Sequence, residues 1–266
     1  LNAGGVYATS EKSARFTKME PTPEEKRLYE KWQAIISGRI DEVYPCYFDD
    51  GKKGKLAQEN ARYMTSVFTP TTMGHSLSFR QLNYVMHWFA DFIENAAGNP
   101  FNDRLKHSME EFNRQLEPFY EERLAPHVKC RRMPLFAQRE DYGEVFDETY
   151  SVNYEGSLAQ LAQAHRHRTL TYLMQPLDGV PSSFFVPPIV ETDDGLREEW
   201  LVDMAAVAHL YPQGTMVAIN ERGNYEDFIS KIYERLCGHA QLEVQDRSRK
   251  TLQRYVGETD NDSVRA

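Results

Sequence analysis

The sequence predicts an α+β chain in which short extended segments alternate with amphipathic helices and one arrangement of segments occurs twice. Two observations carry this. Apolar residues recur at three- and four-residue spacing in several windows, the pattern of helices buried along one face. The stretch from Pro70 to Arg80 also parallels the stretch from Pro212 to Arg222, with proline and arginine ten residues apart in both. A helix is expected before and after each copy, the outline of an internal repeat.

The elements follow in order. Thr22 and Glu25 form a capping box, and Pro23 suits the first helical position. Leu28, Tyr29, Trp32, Ile35 and Ile36 share the apolar face of that helix, and Gly38 is expected to end it. Asp49 to Lys55 reads as a polar turn, followed by a helix from about Leu56 to Ser66 and an extended stretch from Thr71 to Leu77. Leu82, Val85, Met86, Phe89 and Ile93 define a helix from Phe79 to about Ala96. Asn99 and Pro100 are expected to break it before a charged helix from about Asp103 to Arg123. The mixed segment from Pro126 to Tyr154 reads as strand and linker and holds the boundary between two halves, 1–126 and 127–266.

In the second half, Ser157 and Gln160 form another capping box, leading a short helix into His165–Arg168. Prolines confine Pro176 to Pro188 to a loop. A helix from about Glu198 to Leu210 precedes a strand from Thr215 to Asn220. Asn224 is expected to cap a helix ending near Gly238, and a last helix runs from about His239 to Tyr255. Tyr44, Tyr47, Trp88 and Phe89 are assigned to the core.

A formal net charge of −9 opposes binding to a nucleic-acid polyanion, whereas a nucleotide needs only a few arginines in a pocket. Cys46, Cys130 and Cys237 are odd in number and fit no metal-ligand spacing, so free thiols in a reducing, cytoplasmic compartment are expected, with no metal site. No apolar run reaches membrane-spanning length, which argues against a membrane partner. The chain opens on Leu1 inside a candidate motif, so upstream residues are expected to precede it.

Two clusters carry phosphate chemistry. His165-Arg166-His167-Arg168 joins two guanidinium forks, which match phosphate oxygens bidentately, to two imidazoles. Ser10, Glu11, Ser13 and Arg15 combine hydroxyls, a carboxylate and a guanidinium within six positions. Either cluster alone is ordinary as a solvated helix end or a polar loop.

Together these segments resemble the flavin-dependent thymidylate synthase family, whose signature is Arg-His-Arg, seven residues, then a serine within Asn-Glu-x-Ser-x-Arg-Tyr. Arg166-His167-Arg168 is similar to the first part, with Gln163 at the family's glutamine three residues earlier. Glu11-Lys12-Ser13-Ala14-Arg15-Phe16 is similar to the second. Asn220-Glu221-Arg222 matches the Asn-x-Arg motif, and Arg62 stands eighteen residues before Arg80, where Ser78 replaces the motif's asparagine. Arg235, His239, Ala240, Gln241 and Glu243 resemble the closing Arg-x-x-x-His-Ala-Gln-x-Glu. The departures are complementary. Ala3-Gly4-Gly5 stands where the first half would carry Arg-His-Arg, and Pro176-Leu177-Asp178 stands where the second would carry Ser-x-Arg.

The resemblance implies two fused copies of the family's sheet-and-helix domain, the first N-terminally incomplete. It implies FAD as cofactor, NADPH and methylenetetrahydrofolate as co-substrates, and reductive methylation of dUMP. The matches imply Arg166 as the catalytic residue, beside the pyrimidine. Glu11, Ser13, Arg15, Arg62, Gln163 and Arg235 would bind the nucleotide. Arg166, His167, Arg168, Asn220, Arg222, His239 and Gln241 would hold the flavin. The family's site lies between subunits of a homotetramer, so a homodimer of fused halves is implied. The alternatives are a C5-modifying enzyme for another pyrimidine nucleotide and a non-catalytic homologue.

Overall fold

A computed structural model describes residues 7–11, 20–127, 136, 142–237 and 240–259, so Ser13, Arg15 and His239 lie outside the described residues. The chain is mixed α+β with two small sheets. In order come β1 (Tyr7–Glu11), α1 (Pro23–Val43), α2 (Asp50–Ala61), β2 (Met73–Leu77), α3 (Phe79–Asn95), α4 (Pro100–Leu116), β3 (Val145–Phe146) and β4 (Thr149–Ser157). Then follow α5 (Leu158–Ala164), β5 (Thr171–Met174), α6 (Pro188–Glu191), α7 (Asp194–Ala206), β6 (Met216–Asn224), α8 (Tyr225–Arg235) and α9 (Leu242–Glu258).

One compact unit comprises Leu1–Lys12, Thr71–Pro134 and Leu177–Val180. In it β1 and β2 pair antiparallel, Tyr7 opposite Leu77 and Glu11 opposite Met73. Ser78 caps α3 by accepting from the Gln81 amide. Asn99 and Pro100, expected only to end a helix, also begin the next one, because the Asn99 side chain accepts from the Asn102 amide and proline fits the first turn. The two helices pack through Val85, Phe89 and Met109, with Trp88 partly buried beside them. Asn83 closes the unit by donating to the Glu121 carbonyl and accepting from its amide.

The other unit comprises Ser13–Pro70, Leu135–Pro176 and Pro181–Ala266. Leu28, Trp32 and Ile36 of α1 share a core with Ala57 of α2, Val190 of α6, and Trp200 and Met204 of α7. Trp32 and Trp200 meet edge to face at 4.9 Å, and the Trp32 indole donates to Asp203 at 2.8 Å.

The capping box forms as expected, and Glu25 does more than cap. Its Oε2 accepts from the Thr22 amide at 2.9 Å and hydroxyl at 2.6 Å, while its Oε1 accepts from the Ser66 amide at 2.5 Å. Gly38 does not stop α1, because Ile40 continues the buried stripe one turn on. The expected polar turn at Asp49 to Lys55 is instead the first turn of α2, capped by Asp49. Tyr44 and Tyr47, expected in the core, are exposed past the end of α1 and pack on each other and on Phe48.

The second sheet runs in the order β3-β4-β6-β5, all antiparallel. Glu221 of β6 stands opposite Val152 of β4 and Tyr172 of β5, so these residues share one face. Asn220 and Arg222 lie on the other, with Ser151, Asn153 and Thr171. The first face is covered by α8, whose buried Lys231 donates to both Glu221 oxygens at 2.6 and 2.5 Å. Tyr154 donates to the same carboxylate at 3.1 Å, and the Tyr150 hydroxyl also bonds to it. Phe228 of α8 and Tyr255 of α9 stack at 5.0 Å above Tyr150.

Glu25→Ala removes the acceptor of the buried Ser66 amide as well as the reciprocal half of the capping box, so it should cost about 2–4 kcal/mol in urea unfolding, against about 1 kcal/mol for Thr22→Ala. Equal losses would show that the Glu25–Ser66 bond contributes nothing.

Candidate functional site

The motif residues fall into three groups. The first forms where the short 3-10 turn Arg62–Met64 meets α5 and the start of α9. Arg62 is buried, and its Nη2 donates to Gln241 Oε1 at 2.5 Å. Gln163 Nε2 donates to the same oxygen. Gln241 Nε2 donates to the Tyr63 hydroxyl, which donates to Glu243 Oε2 at 2.7 Å. Glu243 also accepts from the Ser157 amide at 2.9 Å and hydroxyl at 2.7 Å. Ser157 is therefore a hinge between cap and network, because its hydroxyl accepts from the Gln160 amide at 3.0 Å while donating to Glu243. Gln160 does not reciprocate the cap but turns its amide toward the Tyr154 hydroxyl.

Close packing sets the position of Tyr63. A Cβ at Gly214 would stand 2.7 Å from the Met204 methyl, 3.1 Å from Tyr63 Cβ and 3.3 Å from the Tyr63 carbonyl oxygen, so a larger residue would push on the Tyr63 backbone. The Gly214 amide in turn donates to the Tyr63 carbonyl at 3.0 Å. Burial raises the Glu243 carboxyl above its ordinary range, while its three hydrogen bonds oppose that rise. Burial and Glu243 raise the Tyr63 phenol, which stays a donor.

The second group follows α5. Arg235, in the last turn of α8, donates through Nε to His167 Nε2 at 2.6 Å, and the Glu234 carboxylate lies 3.7 Å from His167 Nδ1. Burial, then the charge of Arg235, pushes His167 down to about 4. Burial likewise pulls the Arg235 guanidinium below its ordinary value, with Arg166 acting in the same direction. The neutral imidazole is thus an acceptor for Arg235. Arg166 and Arg168 themselves are exposed on the turn.

The third group lies on the other face of the second sheet. Asn220 is buried and donates to Ser151 Oγ at 2.9 Å and Asn153 Oδ1 at 3.1 Å. Its own Oδ1 accepts no hydrogen bond among the described residues. The Arg222 guanidinium stacks 4.5 Å over the Tyr142 ring. It lines a cleft of about 410 Å³ with Ser151, Thr171, Gly143 and Gly223.

The structure thus joins Arg62, Gln163 and Gln241, and separately His167 and Arg235, while Asn220 and Arg222 project from a different face. Glu11 belongs to β1, and Ser13, Arg15 and His239 lie outside the described residues. Sequence reasoning did not assign Tyr63, Ser157, Glu243 or Tyr142 to the site. Glu243 was visible in the closing motif and Ser157 as a cap, but nothing local joins Tyr63 to either.

Among the described residues no cluster of His, Cys, Asp and Glu could hold a metal ion, and no helix is long and apolar enough to cross a membrane. Cys46 and Cys237 are free and exposed. Groups able to meet an anionic ligand are Arg166 and Arg168, both exposed residues, and Arg222 in the cleft with Thr149, Ser151 and Thr171, while the buried Asn220 Oδ1 accepts no hydrogen bond among the described residues. No protein-family model matches the chain, and no curated protein matches it.

His167 ordinarily titrates near 6.5, and in the fold it stays neutral until about pH 4, so the unfolded chain binds the extra proton between those values. Stability contributed by neutral His167 is therefore lost as pH falls from about 6.5 toward 4. Urea unfolding at pH 7 and pH 5 should show a smaller acid loss for His167→Gln than for wild type. Parallel losses would remove His167 from the acid limb.

Proposed function

We propose that this chain is a flavin-dependent nucleotide-modifying enzyme of the thymidylate synthase type, built from two fused, diverged copies and working as a homodimer. The observation that carries the reading is the bonding of Arg62 to Gln241 beside Gln163. Two residues from separate motifs, Arg62 and Gln163, converge on the side-chain oxygen of a third, Gln241, which lies 179 positions from Arg62 in the chain. The complementary losses in the two halves point the same way: a decaying copy would lose motifs at random, whereas here each half keeps what the other lacks.

In this reading dUMP is the substrate, FAD the cofactor, and NADPH and methylenetetrahydrofolate the co-substrates. Ser13, Arg15 and Arg62 hold the nucleotide's phosphate and sugar, with Glu11 fixing Arg15. Gln163 and Arg235 meet the base. Arg166 faces a pyrimidine carbonyl, where its charge stabilises the anion that makes C5 nucleophilic. His167, supported by Arg235, together with Arg168, Asn220, Arg222, His239 and Gln241, belongs to the flavin side. A bound flavin supplies the hydride chemistry that completes the methyl group. Substrate affinity rests on charge-assisted hydrogen bonds, and no nucleophile of the protein is needed.

The burial of Arg62 in bonds internal to the fold favours a second reading, a non-catalytic homologue that keeps the framework. A flavin absorption spectrum from purified protein separates the two, and tritium release from C5-labelled dUMP tests the substrate. Flavin without release on dUMP would direct the search to another pyrimidine nucleotide.

Arg168→Ala should yield folded protein with little flavin, whereas Arg80→Ala, exposed in the first turn of α3, should keep it. Full occupancy in Arg168→Ala would remove the residue from the cofactor site. Arg15→Ala should weaken dUMP by roughly tenfold to a hundredfold in calorimetric titration, the cost of a hydrogen bond to a charged group, with flavin content unchanged. Equal affinities would refute the phosphate role.

A further inference from the structure

We propose that Glu243 is a positioning residue that fixes, through the Tyr63 hydroxyl, the direction of hydrogen bonding that Gln241 offers to Arg62. Two ends of the network admit only one polarity. Arg62 is an obligate donor, so the Gln241 atom that it meets at 2.5 Å is the oxygen. The amide nitrogen of Gln241 then faces Tyr63, and the Tyr63 oxygen must accept. The single phenolic proton is left for Glu243 Oε2, at 2.7 Å. At the far end, Glu243 Oε1 accepts the backbone amide of Ser157, which only donates, and Oε2 accepts the Ser157 hydroxyl. A carboxylate that accepts at both oxygens thus orders every bond as far as Arg62 and Gln163.

Replacing one carboxylate oxygen by an amide inverts that order. In Glu243→Gln the remaining oxygen stays with the Ser157 amide, so the new NH2 points at Tyr63 and Ser157. Tyr63 then accepts from position 243 and turns its proton toward Gln241. Gln241 must present its oxygen to Tyr63 and its nitrogen to Arg62 and Gln163, which sets donor against donor. The damage surfaces at Arg62, two intervening side chains away from the substitution. Tyr63→Phe removes the hydroxyl that transmits the reversal, and Gln241 keeps its oxygen on Arg62. The effect on nucleotide affinity rests on the reading of Arg62 given above; the polarity does not.

Wild type, Glu243→Gln, Tyr63→Phe and the double variant are unfolded in urea and titrated with dUMP. Glu243→Gln is expected to lower the urea midpoint and to weaken dUMP by about tenfold, the loss of one charge-assisted bond. The double variant is expected to be more stable, and to bind dUMP more tightly, than Glu243→Gln alone. A merely structural Glu243 would give the opposite order, with the second deletion adding to the first, and a double variant no better than Glu243→Gln overturns the proposal. If Glu243→Gln does not fold, the comparison is the recovery of folded protein in the double variant, whose absence also overturns it. A wild type that ignores dUMP refutes the nucleotide reading, and the polarity is then decided by the urea midpoints.

Discussion

The second sheet depends on the ion pair between Glu221 and Lys231, both of which have no solvent-exposed side-chain surface. Two charges removed from water cost more than their attraction returns unless the geometry is close and the remaining lone pairs are satisfied. Here Lys231 reaches both oxygens, and the phenols of Tyr150 and Tyr154 donate to the same carboxylate. Burial, then the charge of Glu221, raises both phenols and keeps them protonated donors. The pair locks α8 onto one face of β6, and strand alternation sends Asn220 and Arg222 to the other. It also carries the end of α8, with Arg235, to His167.

A second buried carboxylate organises the polar side of the candidate site. Glu243 receives three hydrogen bonds from two segments, the Ser157 cap and the Arg62–Met64 turn. Glu25 does the same for the turn's far end by accepting from Ser66. In both cases a short connection between elements is held by an acceptor in the first turn of a helix. The turn bearing Arg62 is held by these acceptors and by Tyr63 and Met64, both buried in the core shared by α1 and α7, with Tyr63 packing at 4.8 Å on Phe185.

The two stretches that share a proline-to-arginine spacing differ in local structure. Ser78 caps α3, so Arg80 lies in a helical first turn, whereas β6 continues through Arg222 to its cap at Asn224. The arginines share a spacing from proline but not a conformation. A strand four residues longer on one side is what lets Arg222 stack on Tyr142 within the cleft.

Features whose physics spans only a few residues were legible in the sequence. The caps at Thr22, Ser157 and Asn224 were readable because a short side chain reaches only its own next amides. The apolar stripe of α1 was equally plain, but Gly38 misled, because burial of Ile40 beyond it outweighs a glycine's modest cost in an exposed helical turn. Motif order pointed to Arg62, Gln163 and Gln241 as members of one site, though nothing local specified that they would touch. Strand β5, the exposure of Tyr44 and Tyr47, and the roles of Tyr63 and Glu243 were decided only by tertiary structure. Ladder partners and buried acceptors lie scores of residues away, and a hydrogen bond between Tyr63 and Glu243 spans 180 positions. The sequence by itself determined which segments coil and which polar groups they carry; only packing decided which of those groups would be removed from water together, because a buried donor must find an acceptor wherever the chain supplies one.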